Sequence, residues 1–344
     1  MDKTIRLYQE DLHGILHVLG IERLKGKSFL ITGATGMVGV CLIDALMKYN
    51  REAAADISIT AVGRNRERAA SRLGEYYSSS QFRFLEQDVR DPFPSSVRAD
   101  FILPLASNTH PLAYSQYPVE TIEINIKGAE NALKKAIECN ATVLYPSSVE
   151  VYGNGQEDFT EDYTGMLNLG NARSCYTESK RVSEALCQSY IAEHGVDCKI
   201  VRLSRLFGPT MLKSDTKASS QFILKAIAGE DIVLKSTGNQ VFSYTYVADA
   251  VQAMLFVLLH GECGQAYNVA GCTVNLADFA AGCAAFAGKS VIFDLPSEIE
   301  TKGYSVATRA VLATEKLSGL GWIPPHSFND ALDRTYRILS DSRI

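Results

Sequence analysis

No part of the chain restricts its fold as tightly as SFLITGATGMVGVCLIDALMKY, residues 28–49. An apolar run ends in Gly33, two more glycines follow at Gly36 and Gly39, and apolar residues then continue to Tyr49. That is the pattern of a buried strand, a tight turn and a helix. Gly33 allows the turn, Gly36 lets a pyrophosphate approach the backbone, and Gly39 lets the helix pack on the strand. The start of the helix offers unpaired N–H groups and the positive end of its dipole to phosphate. Thr35, Met37 and Val38 share the turn, so with the three glycines they are candidate dinucleotide contacts.

Residues 29–43 carry no charge, but a membrane span needs about 20 apolar residues, and glycines and threonines interrupt this shorter run. The chain of 344 residues has a formal net charge of −5. It therefore lacks a global field that would attract nucleic acid or anionic lipid. No nucleic-acid or membrane partner is expected. None of the eight cysteines lies in a C-x-x-C pair. His13 and His17, one helical turn apart, have no ligands of familiar spacing beside them and read as a surface pair, so no metal is expected. The first 28 residues contain Asp2, Glu10, Asp11 and Glu22 and no long apolar core. That is not a secretory signal, and the expected location is cytoplasmic.

Strands and helices alternate along the first two thirds of the chain. Strands are predicted at 28–33, 57–63, 82–88, 99–106, 141–148 and 198–204, and helices at 37–49, 66–77, 120–139 and 175–194. Buried strands alternating with helices imply a parallel sheet covered on both faces. The expected fold class is α/β, a Rossmann-type doubly wound parallel sheet with a smaller, mostly helical C-terminal substrate lobe. Ile5, Leu12, Ile15, Leu16 and Leu19 recur at helical spacing and predict a helix over 4–20. After residue 205 the pattern loosens. A short strand is predicted at 231–235, with helices at 218–228, 247–260, 276–287, 308–320 and 327–339. The expected division is a helical extension over 1–26, a dinucleotide-binding domain over 27–205 and a substrate lobe over 206–344, interleaved around one cleft.

Dinucleotide sites that prefer NAD usually end the second strand with an acid that binds the adenosine ribose. Here that strand ends in VGRNRER, with Gly63 at the acid's place and Arg64 after it. An arginine without a carboxylate suits a 2′-phosphate and tilts the expectation from NAD towards NADP. Arg64 stacked on adenine, in either cofactor, is the other reading. Asp88, ending the third strand before Val89, is a candidate partner for the adenine amino group.

The segment CYTESKR places Tyr176 and Lys180 four residues apart, on one face of a helix. An ammonium near a phenol favours phenolate and is expected to lower its pKa from about 10 towards neutrality. The phenolate is then a general base for a sugar hydroxyl. Ser148 ends the strand ATVLYPSS and is placed to hydrogen-bond the same oxygen.

With these residues in place, the chain resembles the extended short-chain dehydrogenase/reductase family, the nucleotide-sugar epimerases and dehydratases. The resemblance runs over roughly residues 27–340. It rests on TGATGMVG (32–39), LAS (105–107), SSVEVYG (147–153), CYTESK (175–180), LFGP (206–209) and YTYVADA (244–250). Among its members the chain is most similar to UDP-glucuronate decarboxylases, with dTDP-glucose 4,6-dehydratases next. The resemblance implies a tightly held nicotinamide cofactor that oxidises the sugar at C4, with Ser148, Tyr176 and Lys180 as the triad. It implies that Leu105, Ala106 and Ser107 border the cofactor. It also implies a homodimer through the helices at 120–139 and 175–194, and a nucleotide-diphosphate sugar as substrate.

The chain departs from the family pattern at three points. Dehydratases carry Asp then Glu after the triad hydroxyl, and decarboxylases Ser then Glu; here the pair is Val149 and Glu150. A valine donates no proton, so acid-assisted dehydration lacks its acid, while Glu150 stays a candidate base or substrate ligand. Phe242 stands where the family usually holds the diphosphate with arginine, and Arg205 where decarboxylases have asparagine. Arg205 is thus a candidate for the missing charge. By resemblance Lys217 contacts the nucleotide, and Arg309, thirteen residues before Trp322, matches an arginine that supports decarboxylation. The expected activity is nucleotide-sugar epimerisation through transient C4 oxidation. The alternatives are decarboxylation of a nucleotide uronate, an NADPH-dependent alcohol reductase and, outside enzymes, a dinucleotide sensor.

Overall fold

The computed structural model describes residues 1–109, 111–295 and 308–342; residues 296–307 of the expected substrate lobe lie outside the described residues. The chain opens with helix α1 (Arg6–Ile15), followed by β1 (Ser28–Thr32), α2 (Met37–Ala53), β2 (Ser58–Gly63), α3 (Arg66–Leu73) and β3 (Phe82–Glu86). Next come β4 (Phe101–Pro104), α4 (Pro111–Gln116), α5 (Pro118–Cys139), β5 (Thr142–Ser148), α6 (Ser174–His194), β6 (Cys198–Leu203) and β7 (Arg205–Phe207). The remainder comprises α7 (Ala218–Ala228), β8 (Ile232–Leu234), β9 (Val241–Tyr246), α8 (Val247–His260), β10 (Ala266–Val269) and β11 (Cys272–Asn275). After these lie α9 (Leu276–Ala287), β12 (Val291–Phe293), β13 (Arg309–Ala310), α10 (Glu315–Gly319) and α11 (Phe328–Asp341).

Seven strands form a parallel sheet in the order β10-β6-β5-β4-β1-β2-β3. The period-two rule distributes its side chains between two cores. Phe29 and Ile31 of β1 join the core built with α2 and α8, while Leu30 between them joins the core built with α5 and α6. The sheet is therefore covered on both faces, the Rossmann-type doubly wound architecture. Its last strand is drawn from residues 266–269, far downstream of β6.

β1 pairs with β2 on one side and β4 on the other, so the winding reverses there. Crevices at such a reversal, beyond the carboxyl ends of the strands, are where open α/β sheets bind ligands. The glycine turn after β1 lies at this point. A smaller sheet stands next to it, in which β9 pairs with β7, β11 and β13.

Two expectations need correction. The helix predicted over 308–320 is confined to Glu315–Gly319. Arg309 and Ala310 instead pair in parallel with Val241 and Phe242, and Leu312 N–H donates to Ser243 Oγ. Pairing with a distant strand overrides local helix propensity here. The helix predicted over 4–20 stops at Ile15, and Leu19 is exposed. Besides the buried Leu12 and Ile15, polar contacts fasten α1. Buried Asp11 accepts hydrogen bonds from Tyr246 and Arg334, and Tyr8 donates to buried Asp44 at 2.6 Å. Among the described residues, no helix is long and apolar enough to cross a membrane, and no group of side chains is arranged to hold a metal ion.

Candidate active site

The glycine turn is shaped by contact with β4. Gly33 has φ +59°, and a Cβ there would lie 2.7 Å from Ala106 N. Ala106 N–H is itself held by Thr32 Oγ1 at 3.1 Å. Leu105 and Ala106 thus form the wall behind the turn, and Ser107 follows them. α2 begins directly after Gly36, so its first N–H groups open into the cleft. Thr35 and Gly63 are neighbours: a Cβ on Gly63 would stand 4.0 Å from the Thr35 methyl. Met37 accepts a hydrogen bond through its carbonyl from Thr210, and Val38 is half-buried. A cradle closed to any Cβ at Gly33, with free helix N–H groups beyond it, fits a dinucleotide.

Beyond the carboxyl ends of β2 and β3, charges are already matched. Arg64 Nη1 lies 2.5 Å from Glu120 and 3.7 Å from Asp88. Asp88 is bound by Arg90, which also reaches Glu123 at 3.0 Å. The hydrogen bonds from Arg90 hold the Asp88 carboxyl below the usual carboxylate range. Val89 packs beneath α5, its carbonyl accepting from Asn131 at 2.9 Å.

The candidate chemical centre sits at the carboxyl end of β5. Ser148 is its last residue, paired in register with Leu203. The Ser148 hydroxyl lies near the Tyr176 phenol of the first turn of α6 and pulls its pKa down. Lys180, one turn further and buried, donates to the Pro146 carbonyl at 2.8 Å. The structure therefore brings Ser148, Tyr176 and Lys180 to one place. It corrects the expected electrostatics, however. Burial pushes the Tyr176 phenol up; Ser148 pulls it down, and Glu150 and Tyr114 push it further up. Lys180 is not among the charges that act on it. Burial instead pushes the Lys180 ammonium down, to about 8.

Tyr114 is the residue that sequence reasoning missed. Its ring stacks on Tyr176 with centroids 5.6 Å apart, and the Arg173 guanidinium lies 6.0 Å from the ring centroid. Burial, then Glu150, raises its phenol to about 12. Only an aromatic in a six-residue helix next to a proline marked it, which is no signal of chemistry.

Val149 is buried in the main core with Val151, Tyr152 and Phe159. Glu150 is partly exposed, 3.6 Å from Arg205 Nη2. Arg205 lies over the Phe242 ring at 3.7 Å, so these two family departures touch. Lys217 and Arg309 each have an acidic partner. Lys217 caps the start of α7 and pairs with Asp215 at 3.1 Å. Arg309 pairs with Asp158.

The sheet order, the glycine cradle and the serine–tyrosine–lysine centre define a dinucleotide-binding enzyme fold. Residues 29–270 match the model of the NAD dependent epimerase/dehydratase family, and the chain belongs to that family. It is 34% identical over 238 residues to UDP-glucuronic acid decarboxylase 6 of Arabidopsis thaliana, covering 68% of this chain and 67% of that one. It is 33% identical to UDP-glucuronic acid decarboxylase 1 of Xenopus tropicalis, covering 67% of this chain and 53% of that one. The chain thus matches between half and two thirds of these relatives' lengths. Two solved structures share the fold. The UDP-glucose 4-epimerase of Thermotoga maritima with UDP-glucose gives a TM-score of 0.78 at 18% identity, covering 92% of this chain and 100% of that one. The dTDP-glucose 4,6-dehydratase of Streptomyces venezuelae with NAD bound gives 0.78 at 23% identity, covering 92% and 98%.

Proposed function

We propose that the protein oxidises a ring hydroxyl of a nucleotide-diphosphate sugar, at C4, and restores it with inverted configuration, as an epimerase. The observation that carries this reading is the convergence of Ser148, at the end of β5, and Tyr176, in the first turn of α6, with the Ser148 hydroxyl near enough to pull the phenol's pKa down. It leaves a phenol and a hydroxyl aimed at one substrate oxygen, the arrangement a proton transfer needs. When bound, the oxidised nicotinamide supplies a hydride acceptor and a positive charge. Tyr176 takes the hydroxyl proton and later gives it back, and Ser148 holds the substrate oxygen in line. Gly33, Gly36, Gly39 and the start of α2 hold the pyrophosphate. Glu150 is the remaining carboxylate near the ring. Val149, buried and without a proton to give, supports epimerisation over dehydration.

Decarboxylation of a nucleotide uronate is the second reading. The Arg205–Glu150 pair beside Tyr176 favours it, as do the decarboxylase relatives. Incubation with UDP-glucuronate separates the two. The expected product is the 4-epimer without carbon dioxide; released carbon dioxide would replace the first reading with the second.

We read the cofactor as NAD. Arg64 is already neutralised by Glu120, with Asp88 beside it, so a 2′-phosphate would meet carboxylates as well as the arginine. NADP is the reading that Arg64 alone supports. The expected result is tighter binding of NADH than NADPH, by about tenfold or more, because like charges disfavour the doubly charged 2′-phosphate. Fluorescence titration of the purified chain with each nucleotide checks it, and tighter NADPH binding would reverse the assignment. A homodimer through α5 and α6 is part of the same proposal. Ile122, Ile137 and Val182 on these helices are exposed apolar residues.

A further inference from the structure

Arg205 differs from Arg202, Arg181 and Arg334, which are also partly buried. Arg202 donates to Glu184, the Tyr152 hydroxyl and the Glu161 carbonyl. Arg181 donates to the Val151 and Gly165 carbonyls, and Arg334 to Asp11 and the Leu7 carbonyl. The Arg205 side chain is 21% exposed. Its Nη1 is buried with no hydrogen-bond partner. Its contact with Glu150, 3.6 Å from Nη2, is too long for a hydrogen bond. A guanidinium has five donors in a fixed plane and stays charged at any working pH. A charge held in this way without hydrogen bonds is incomplete.

The surroundings hold the group in place without using those donors. β7 pairs with β9, with Arg205 opposite Tyr244. Phe242, two residues earlier on β9, lies under the guanidinium at 3.7 Å. A guanidinium lying on an aromatic face keeps its N–H groups free at the edges. The group lies close to the reaction centre. Its charge lowers the pKa of Tyr114, which stacks on Tyr176, and Glu150 is only two residues beyond Ser148.

We propose that Arg205 is the anion anchor of the substrate site, binding a phosphate or carboxylate oxygen of the substrate and leaving Glu150 to do so. The inference rests on the nucleotide-sugar reading above and deepens it: the substrate carries an anion within reach of Glu150. Glu150 occupies the arginine loosely in the free protein and competes with the ligand. Phe242 serves as the rigid platform.

The test is calorimetric titration of the full chain with UDP, inorganic pyrophosphate, UDP-glucose and UDP-glucuronate. The variants are Arg205→Gln, Arg205→Lys and Glu150→Gln. Losing a charge-assisted anchor weakens binding by about 10- to 100-fold. If Arg205→Gln weakens UDP and pyrophosphate alike, the anion is the diphosphate. If it weakens only UDP-glucuronate, the anion is the sugar carboxylate. Arg205→Lys, which keeps the charge and loses the fork, is expected to fall between Gln and wild type. Glu150→Gln removes the competitor and is expected to tighten binding several-fold, which a purely structural ion pair would not do. If wild type binds pyrophosphate through Arg205 but none of the nucleotides, the anchor stands and the nucleotide-sugar reading falls. Unchanged affinities in folded Arg205→Gln, judged by its thermal unfolding, overturn the proposal.

Discussion

Tyr176→Phe keeps the fold and the dinucleotide affinity but turns over its substrate about 10²- to 10⁴-fold more slowly, the share that positioned acid–base catalysis supplies. The substitution removes one oxygen and leaves the ring stacked on Tyr114. Ser148 still accepts from Glu150 N–H at 3.3 Å. Steady-state turnover with intact NADH binding is the measurement, and near-normal turnover would remove Tyr176 from the base role. Lys180 adds a pH dependence. Its folded pKa of about 8 lies below the ordinary 10.5. Between these values the unfolded chain binds the extra proton, so unfolding free energy rises with pH across this window. Below it the buried ammonium costs about 3 kcal/mol, at about 1.4 kcal/mol per pKa unit. Lys180→Met is expected to lack this rise, which unfolding curves from pH 7 to pH 10 would show. Where the ammonium is needed for activity, kcat/KM falls above about pH 8 in the wild type.

The parts of this molecule that local pattern governs were legible in the chain. β1, the glycine turn and α2 form one continuous stretch, and their roles follow from residues within it. The Tyr176–Lys180 spacing is likewise local, since one helix carries both. What local pattern does not carry is the choice of distant partner. Arg309 and Ala310 lie in a helix-prone segment, yet β9 takes them as a strand. Asp11 reads as a polar residue of an amphipathic helix, yet it is buried because Tyr246 and Arg334 reach it from far along the chain. The same limit applies to electrostatics. Four residues on a helix put Lys180 near Tyr176, but the carbonyl of Pro146, on another element, claims the ammonium. Val149 was legible as inert, though not as core.

The three glycines of the turn are expected to separate into two kinds when each is replaced by alanine. Gly33→Ala meets Ala106 N at 2.7 Å and the carbonyl carbon of Leu105 at 2.7 Å, both backbone atoms that have no rotamer to escape through. It also holds φ +59°, a left-handed conformation that costs an L-residue about 1–2 kcal/mol. Overpacking adds about 1–3 kcal/mol. The sum, several kcal/mol, is a large part of a typical domain's stability. Gly39→Ala meets the Gly33 carbonyl oxygen at 2.6 Å and Ala34 Cα at 2.8 Å, so helix and turn would have to separate. Gly36 differs. Its φ is −78°, open to any residue, and the nearest atom to an added Cβ is the Gly33 oxygen at 3.2 Å. Gly36→Ala should therefore cost about 1 kcal/mol or less, within the range of mild overpacking. Yet its methyl projects at the start of α2, where a pyrophosphate must come against the backbone. The expected outcome for Gly36→Ala is near-wild-type unfolding with dinucleotide binding weakened by about tenfold or more, because the N–H groups can no longer reach the phosphate. For Gly33→Ala stability and binding fall together. Denaturant unfolding and NADH titration of the two variants side by side provide the check. Should Gly36→Ala bind NADH as the wild type does, the turn would be a packing feature alone, and the dinucleotide would have to be held elsewhere.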